Sequence, residues 1–367
     1  MDNRLHIFNP EHDLVLAVEK QGLRHTPPKA ARQLRLDLGF LPAFMADDGD
    51  WVLVDDAQVA CTAARPFAAH LPDVRFVTPS EVRRMTGDGL PLSIVCPWGW
   101  DADVRAELAR VGIDHRLMPD DDALGRIRRL SHRAQTIGLL DGMVAECPLT
   151  VGERRQAFGV EEVTGLIGLW GKVVVKSPWS SSGRGVRMID REPTASELGF
   201  IRHVLAQQHS IIVEPFYDCL LNFAMEFVVA QGEVAYSGLS IFRNTGVAYE
   251  GNLLASEEEK WALLSGQIPL AALRAVADHV RQWLQEVMMP GGDEDREAQA
   301  AIPGCLPIGV DMMLVQTPHG IRIHPCVEIN VRCTMGHVAL HVARRTKGTW
   351  KSMAISFDGG HYELVLK

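Results

Sequence analysis

Two segments of this 367-residue chain have the residue types and spacing for phosphate and metal chemistry. The first is Val173-Val174-Val175-Lys176-Ser177-Pro178-Trp179-Ser180-Ser181-Ser182-Gly183-Arg184-Gly185. An apolar strand delivers a lysine, and a loop of small residues follows it. Such residues let backbone N–H groups approach phosphate oxygens closely, and serine hydroxyls add donors. Lys176 supplies a point charge and Arg184 a forked donor. The P-loop pattern G-x-x-x-x-G-K-[ST] is absent. Taken alone, the segment also reads as a flexible hairpin.

The second segment is Gly309-Val310-Asp311-Met312-Met313-Leu314-Val315, followed after Gly320 by Val327-Glu328-Ile329-Asn330-Val331-Arg332. Two strands joined by a turn bring Asp311 opposite Glu328 and Asn330. The two-residue spacing of Glu328 and Asn330 sets both on one face. Two carboxylates and an amide oxygen are hard ligands suited to Mg²⁺, which also keeps waters and phosphate oxygens. Arg332 continues that face and can hold a transferring phosphoryl group. Carboxylates inside apolar strands are costly without a compensating cation or donor, which argues against a merely solvated hairpin. Between the two segments, Ile211-Ile212-Val213-Glu214-Pro215-Phe216 is an apolar strand ending in a hinge. Its backbone can meet the edge of adenine, with Asn222 or Glu226 reaching ribose hydroxyls; by itself it also reads as an ordinary strand end.

These segments need elements to hold them. The first ~120 residues alternate short apolar runs with helical stretches, the pattern of an α/β unit with a parallel sheet. Leu5 to Phe8, Trp51 to Val54 and Ser93 to Cys96 are the expected strands. The polar loops Asn9 to Asp13 and Pro97 to Asp101 follow two of them and are candidate substrate contacts, because ligands bind beyond the carboxyl ends of parallel strands. Asp101 is placed to cap the next helix. Residues 120–140 are helical and basic, with Arg126, Arg128, Arg129, His132 and Arg133, and read first as a solvated face. An α+β unit follows from Thr150, with strands at Val173 to Lys176, Ile211 to Val213, Phe223 to Val229 and Ile308 to Val315. A helix is expected over Leu270 to Val287 and a surface loop at Pro290 to Asp295.

Composition sets outer bounds. Hydrophobic residues are 47% and charged residues 23%, the balance of a soluble globular protein with no membrane partner. The start Met1-Asp2-Asn3-Arg4 carries no secretory pattern. Seven cysteines without a C-x-x-C pair fit free thiols in a reducing cytoplasm. A net charge of −9 argues against a broad nucleic-acid surface.

In their order along the chain, the lysine strand with its Ser/Gly loop, the Glu-led hinge, the strand aspartate and Glu328-Ile329-Asn330-Val331-Arg332 resemble ATP-grasp enzymes. The resemblance covers roughly Arg126 to Ala343. It implies an N-terminal parallel-sheet pre-ATP-grasp domain (1–125) followed by a two-subdomain ATP-grasp fold (126–367), a mix of α/β and α+β. ATP would lie between the subdomains with one or two Mg²⁺. Carried over residue by residue, Lys176 resembles the phosphate-binding lysine, and Ser180, Ser181, Ser182, Gly183, Arg184 and Gly185 the phosphate-covering loop. Glu214, Pro215 and Phe216 resemble the adenine hinge. Asp311, Glu328 and Asn330 resemble the metal ligands and Arg332 the residue at the reacting phosphate. Many members carry another lysine on the helix that opens the grasp region; here that stretch reads Leu130-Ser131-His132-Arg133, and Arg133 or His132 stands in for it.

The implied activity is an ATP- and Mg²⁺-dependent ligase that activates a small carboxylate as an acyl phosphate for attack by an amine. A kinase acting on a small-molecule hydroxyl and a non-catalytic ATP-binding module are the alternatives. A homodimer is compatible with the sequence. The polar segment Phe242 to Asn252 is expected to be a loop lining the acceptor site, with Arg243 holding a carboxylate, or else an exposed hairpin. His337 and His341 have helical metal-site spacing but lack a third ligand, so core or surface histidines are expected.

Overall fold

Residue alternation decides which face of each strand can become a site. The computed structural model describes residues 3–18, 26–180, 185–246, 248–288 and 302–367. Among those residues the chain forms three sheets. The first contains β1 (Asn3–Ile7), β2 (Trp51–Leu53), β3 (Arg75–Val77) and β4 (Leu92–Pro97), all parallel, in the order β3-β2-β1-β4. Helices α1 (His12–Leu16), α2 (Lys29–Leu38), α3 (Ala57–Ala64), α4 (Pro79–Gly87) and α5 (Ala102–Arg110) lie between or after these strands. The chain builds outward from β1 on one side through β2 and β3, then returns to place β4 on the other. Strand order therefore reverses at β1 and β4. The expected strands are present; β3, only three residues long, was not anticipated.

Two helices, α6 (Asp121–Leu130) and α7 (Ile137–Glu146), flank a 3₁₀ turn at Arg133–Thr136 and lead into the second sheet. That sheet is antiparallel: β5 (Arg155–Ala157), β6 (Val173–Lys176), β7 (Val186–Ile189) and β8 (Ile211–Pro215), in the order β5-β8-β6-β7. Its helices are α8 (Val160–Trp170) and α9 (Ala195–Gln208). Val173, Val175, Ile211 and Val213 share a face and pack with Val163, Ile167, Ile201 and Val204 of the helices. Lys176 and Glu214 share the other face, because Val174 pairs with Glu214 and Lys176 with Ile212.

The third sheet has seven strands: β9 (Asp218–Ala230), β10 (Glu233–Thr245), β11 (Ala248–Leu253), β12 (Cys305–Thr317), β13 (Gly320–Asn330), β14 (Ser352–Phe357) and β15 (Tyr362–Leu366). Helices α10 (Glu257–Ser265), α11 (Leu270–Met288) and α12 (Met335–Thr346) accompany it. Register sets Asp311 opposite Glu328 on one side and Ala224 on the other. Asn222, Ala224 and Glu226 thus share the face of Gly309, Asp311 and Met313. Phe223, Met225 and Phe227 share the opposite face with Val310, Met312 and Leu314. There they pack with Leu273, Val276, Val280 and Leu284 of α11, which recur at helical spacing.

The segment expected to be a loop at Phe242 to Asn252 is instead the hairpin of β10 and β11, turning at Gly246 with φ +62°. Alternating side chains and a glycine free to take positive φ favour the hairpin. The loop expected at Pro290 to Asp295 lies outside the described residues. A separate core joins the two ends of the chain: Phe8, Phe40, Phe44 and Phe67 pack with Val338, Val342, Met353 and Leu364. No helix among the described residues is long and apolar enough to cross a membrane.

The joint between α12 and the large sheet depends on a missing side chain. A methyl group at Gly336 would come within 1.8 Å of Glu226 Oε1 and 2.6 Å of Ser240 Oγ. Gly336→Ala is expected to lower unfolding free energy by about 1–3 kcal/mol in urea titrations. Gly199→Ala, mid-helix in α9 with nothing within 4 Å, should instead stabilise by about 0.4–1 kcal/mol.

Candidate active site between the two antiparallel sheets

A buried carboxylate between two buried cations sits at the centre of the cleft. Glu214 Oε1 accepts from Arg154 Nε at 2.6 Å, and its Oε2 accepts from Lys176 Nζ at 2.6 Å. All three side chains are buried. Arg154 also donates to the carbonyls of Cys326 (3.0 Å), Val327 (2.8 Å) and Arg133 (3.2 Å), and to Thr136 Oγ1. Lys176 adds a bond to the Val327 carbonyl at 3.2 Å. The small sheet is thereby fixed to β13 through polar bonds. Burial alone would raise the Glu214 carboxyl, but Arg154 and Lys176 override it and hold it at about 2. Burial pulls the Lys176 ammonium down from its ordinary value, offset in part by Glu214.

Of the two side chains the sequence singled out here, Arg133 is the one that reaches both the serine loop and the acidic strand. Its Nη1 donates to the Ser177 carbonyl (2.5 Å) and Ser180 Oγ (2.9 Å), and its Nη2 to the Ser180 carbonyl (3.3 Å) and Glu328 Oε1 (2.5 Å). The guanidinium thus bridges the serine loop and the acidic strand. His132 is committed elsewhere: its Nδ1 accepts from the Ala134 amide at 3.1 Å and its ring meets Trp179 edge-on. Burial pushes its imidazole down to about 4, with Arg128 and Arg133 adding to the effect. Arg133, not His132, faces the cleft. Ser180 and Gly185 flank the serine loop; Ser181, Ser182, Gly183 and Arg184 lie outside the described residues.

The acidic set gathers as the alternation requires. Asp311 faces Glu328 across β12 and β13, and Asn330 follows on the same strand face. Burial raises the Asp311 carboxyl to about 8, with Glu328 and Glu226 pushing the same way. Two crowded carboxylates and an amide fit a divalent cation, whose charge would reverse that penalty. Among the described residues no cage of three or more His, Cys, Asp and Glu side chains exists, so the remaining positions would come from phosphate oxygens and water. Asn330 Oδ1 also accepts from Arg332 Nη2 at 2.9 Å.

Arg332 has a partner that the sequence did not suggest. Its Nε donates to Asp13 Oδ2 at 2.9 Å, and Nη2 lies at the same distance, so the start of α1 reaches the centre of the cleft. Burial would raise the Asp13 carboxyl, but Arg332 and then His12 hold it below its ordinary value.

Several expectations need correction. Glu226 does not face a ribose: it is buried under α12, accepting from Ser240 Oγ (2.9 Å) and Thr334 Oγ1 (3.1 Å) beside His337. Burial lifts its carboxyl to about 7. His337 is a core histidine, also bonded to the Phe227 carbonyl. The Phe216 amide donates to the Lys172 carbonyl at 2.9 Å, and Lys172 lies over its ring. That amide is committed to the sheet and is not available to an adenine edge. Asn222 sits beside Met313 on the site face. Arg243 is misplaced for catalysis: it is exposed and continues the face of Ile241 and Phe223, opposite to Asp311. Arg154 was missed because Glu153-Arg154-Arg155-Gln156 reads as a solvated polar stretch; no local pattern marks which arginine turns inward.

Removing the central carboxylate leaves two buried cations uncompensated. Glu214→Gln is expected to lower stability by about 3–5 kcal/mol, measured by urea unfolding at pH 7. Because the folded-state value is depressed, the wild type holds this contribution above pH 4.5 and loses it as pH falls towards about 2. The variant lacks that step.

No protein-family model matches the chain, and no curated protein matches it. Solved structures do. N5-carboxyaminoimidazole synthetase from Staphylococcus aureus, complexed with ADP, aligns over 97% of this chain and 83% of its own, at 11% identity and a TM-score of 0.50. The N5-carboxyaminoimidazole ribonucleotide synthetase from Thermus thermophilus aligns over 96% and 82%, at 14% identity and 0.47. D-alanyl-alanine synthetase A from Vibrio cholerae aligns over 95% and 94%, at 12% identity and 0.45. At such identities the likeness concerns the fold, and the Staphylococcus aureus match carries it. With a parallel four-stranded sheet followed by two antiparallel sheets, the chain has the ATP-grasp fold preceded by an α/β domain.

Proposed function

We propose that the chain is an ATP- and Mg²⁺-dependent ligase that joins a small carboxylate to an amine, with 1–125 as the preceding domain and 126–367 as the ATP-grasp portion. The observation that carries this reading is the convergence of Lys176 from the small sheet, Arg133 from the 3₁₀ turn and Arg332 from just after β13 with Asp311, Glu328 and Asn330 of the large sheet. Cations for a polyphosphate and hard oxygen ligands for its metal meet there without any nucleophilic side chain being required. Phosphoryl transfer of this kind rests on positioning and electrostatics.

Asp311, Glu328 and Asn330 would hold Mg²⁺, which supplies Lewis-acid neutralisation of the phosphates when bound. Lys176 and Arg133 orient the phosphate chain from the serine-loop side. Arg332 stabilises the charge that develops as a substrate carboxylate takes the terminal phosphoryl group, leaving ADP and an acyl phosphate. An amine then displaces phosphate. The free thiol state of all seven cysteines is in keeping with a cytoplasmic setting, and the overall acidity with small-molecule rather than nucleic-acid partners.

The deciding experiment is ADP and phosphate release with Mg²⁺–ATP across small carboxylates and amines. Release that needs both substrates is expected, and Glu328→Ala should lower it by roughly 10²-fold or more. ADP formed with a hydroxyl acceptor and without free phosphate would replace the ligase by a kinase. Because Asp311 keeps its proton up to about pH 8, Mg²⁺ must displace that proton. Mg²⁺ affinity, titrated calorimetrically in the presence of ADP, should rise by up to about tenfold per unit between pH 6 and 8. Asp311→Asn should flatten that dependence.

A further inference from the structure

The parallel sheet points to where the amine is received. Strand order reverses at β1 and β4, and in open parallel sheets ligands bind beyond the carboxyl ends of strands at that point. The segment after β1 holds Asn9 and Glu11 and then His12 and Asp13 in the first turn of α1; the loop after β4 holds Gly99 and Asp101. Asn9 ties the two together, its Nδ2 donating to the Gly99 carbonyl (2.8 Å) and to Asp101 Oδ2 (3.0 Å). His12 Nδ1 meets the same Asp101 oxygen at 3.1 Å. Both side chains are about 1% exposed.

Asp101 is an acceptor throughout. Its Oδ1 takes the Asp103 and Val104 amides at 2.9 Å each, capping α5, while its Oδ2 takes Asn9. Three N–H donors besides His12 already bond this carboxyl group, so Oδ2 faces the imidazole as an acceptor and the ring proton is assigned to Nδ1. The lone pair then resides on Nε2. Among the described residues Nε2 is buried with no hydrogen-bond partner. A histidine that served packing alone would be expected to satisfy both nitrogens. The ring is held in place by Gly99, where a methyl group would come within 2.6 Å of His12 Cγ. The next residue of α1, Asp13, is the one bonded to Arg332, so the imidazole lies in the same helical turn as the residue that meets the acidic strand's arginine.

We infer that His12 is the base that takes the proton from the attacking amine, with Asp101 as its positioning residue; this rests on the ligase reading above. In the step, the amine nitrogen forms a bond to the acyl carbon of the acyl phosphate. The carbon–oxygen bond to phosphate breaks, and inorganic phosphate leaves with that electron pair. The proton shed by nitrogen goes to His12 Nε2, and Asp101 stabilises the imidazolium until the proton passes to solvent or to the departing phosphate.

The test compares two acceptors on the full chain with Mg²⁺, ATP and each carboxylate of the screen. Hydroxylamine, a strong nucleophile unprotonated at neutral pH, captures an acyl phosphate as a hydroxamate without needing a base. Ammonium chloride and the proteinogenic amino acids serve as amines. His12→Gln is expected to lower amide formation by roughly 10²-fold and to lower hydroxamate formation far less. The hydroxamate reaction also reports that the variant is folded. Asp101→Asn should lower kcat for the amine similarly, with KM for ATP unchanged. Equal losses in both reactions of His12→Gln, or amide formation at the wild-type rate, would overturn the assignment and leave the ligase reading standing. Hydroxamate from no carboxylate in the wild type would overturn both.

Discussion

The geometry of the cleft depends on a single carboxylate, Glu214, buried between Arg154 and Lys176. Each charge alone would be strongly penalised in that setting; together, with the carbonyls of Arg133, Cys326 and Val327, their hydrogen-bonding capacity is largely met. A hydrophobic substitute could fill the volume, yet it would not define the angle at which the small sheet meets β13. Directional bonds to three separate parts of the chain do define it. The Lys176 ammonium is therefore held in a fixed position by Glu214 and the Val327 carbonyl.

The same logic separates what was legible in the sequence from what was not. Strand alternation is a local property, so the shared face of Asp311, Glu328 and Asn330 followed from spacing, whereas the direct pairing of Asp311 with Glu328 depends on a register shift between Asp311 and Met313. Asp101 was recognisable as a cap for the same local reason. Bonds between distant segments had no such signature. Arg154 joins positions up to 173 residues away, and Asp13 meets Arg332 across 319. Nothing around Glu226 announces that Gly309 and Gly336 leave room for its carboxyl beneath a helix. Arg243 failed for a subtler reason: its residue type suited a carboxylate, but the parity of its strand turned it to the far face.

Charge balance in the cleft follows from these contacts. Arg133 is paired with Glu328 and Arg332 with Asp13, so the arginines that would meet a nucleotide are already neutralised by carboxylates. Under the proposed function, a divalent cation at Glu328 would compete with Arg133 and release that arginine for phosphate. Metal and nucleotide would then each make the other's ligand available.

The bond between Asp13 and Arg332 carries this further. A guanidinium has five N–H donors, and most of those on Arg332 are engaged by Asp13, Asn330 and the Cys333 carbonyl. Under the proposed function, a phosphoryl oxygen would be accommodated there by exchange with Asp13, which would release the start of α1. Thermodynamic reciprocity then applies: whatever occupies that segment must alter affinity for the phosphoryl group by the same factor that the phosphoryl group alters affinity for it. On that reading one ion pair would link the two halves of the protein, a ligand bound at either end being sensed at the other.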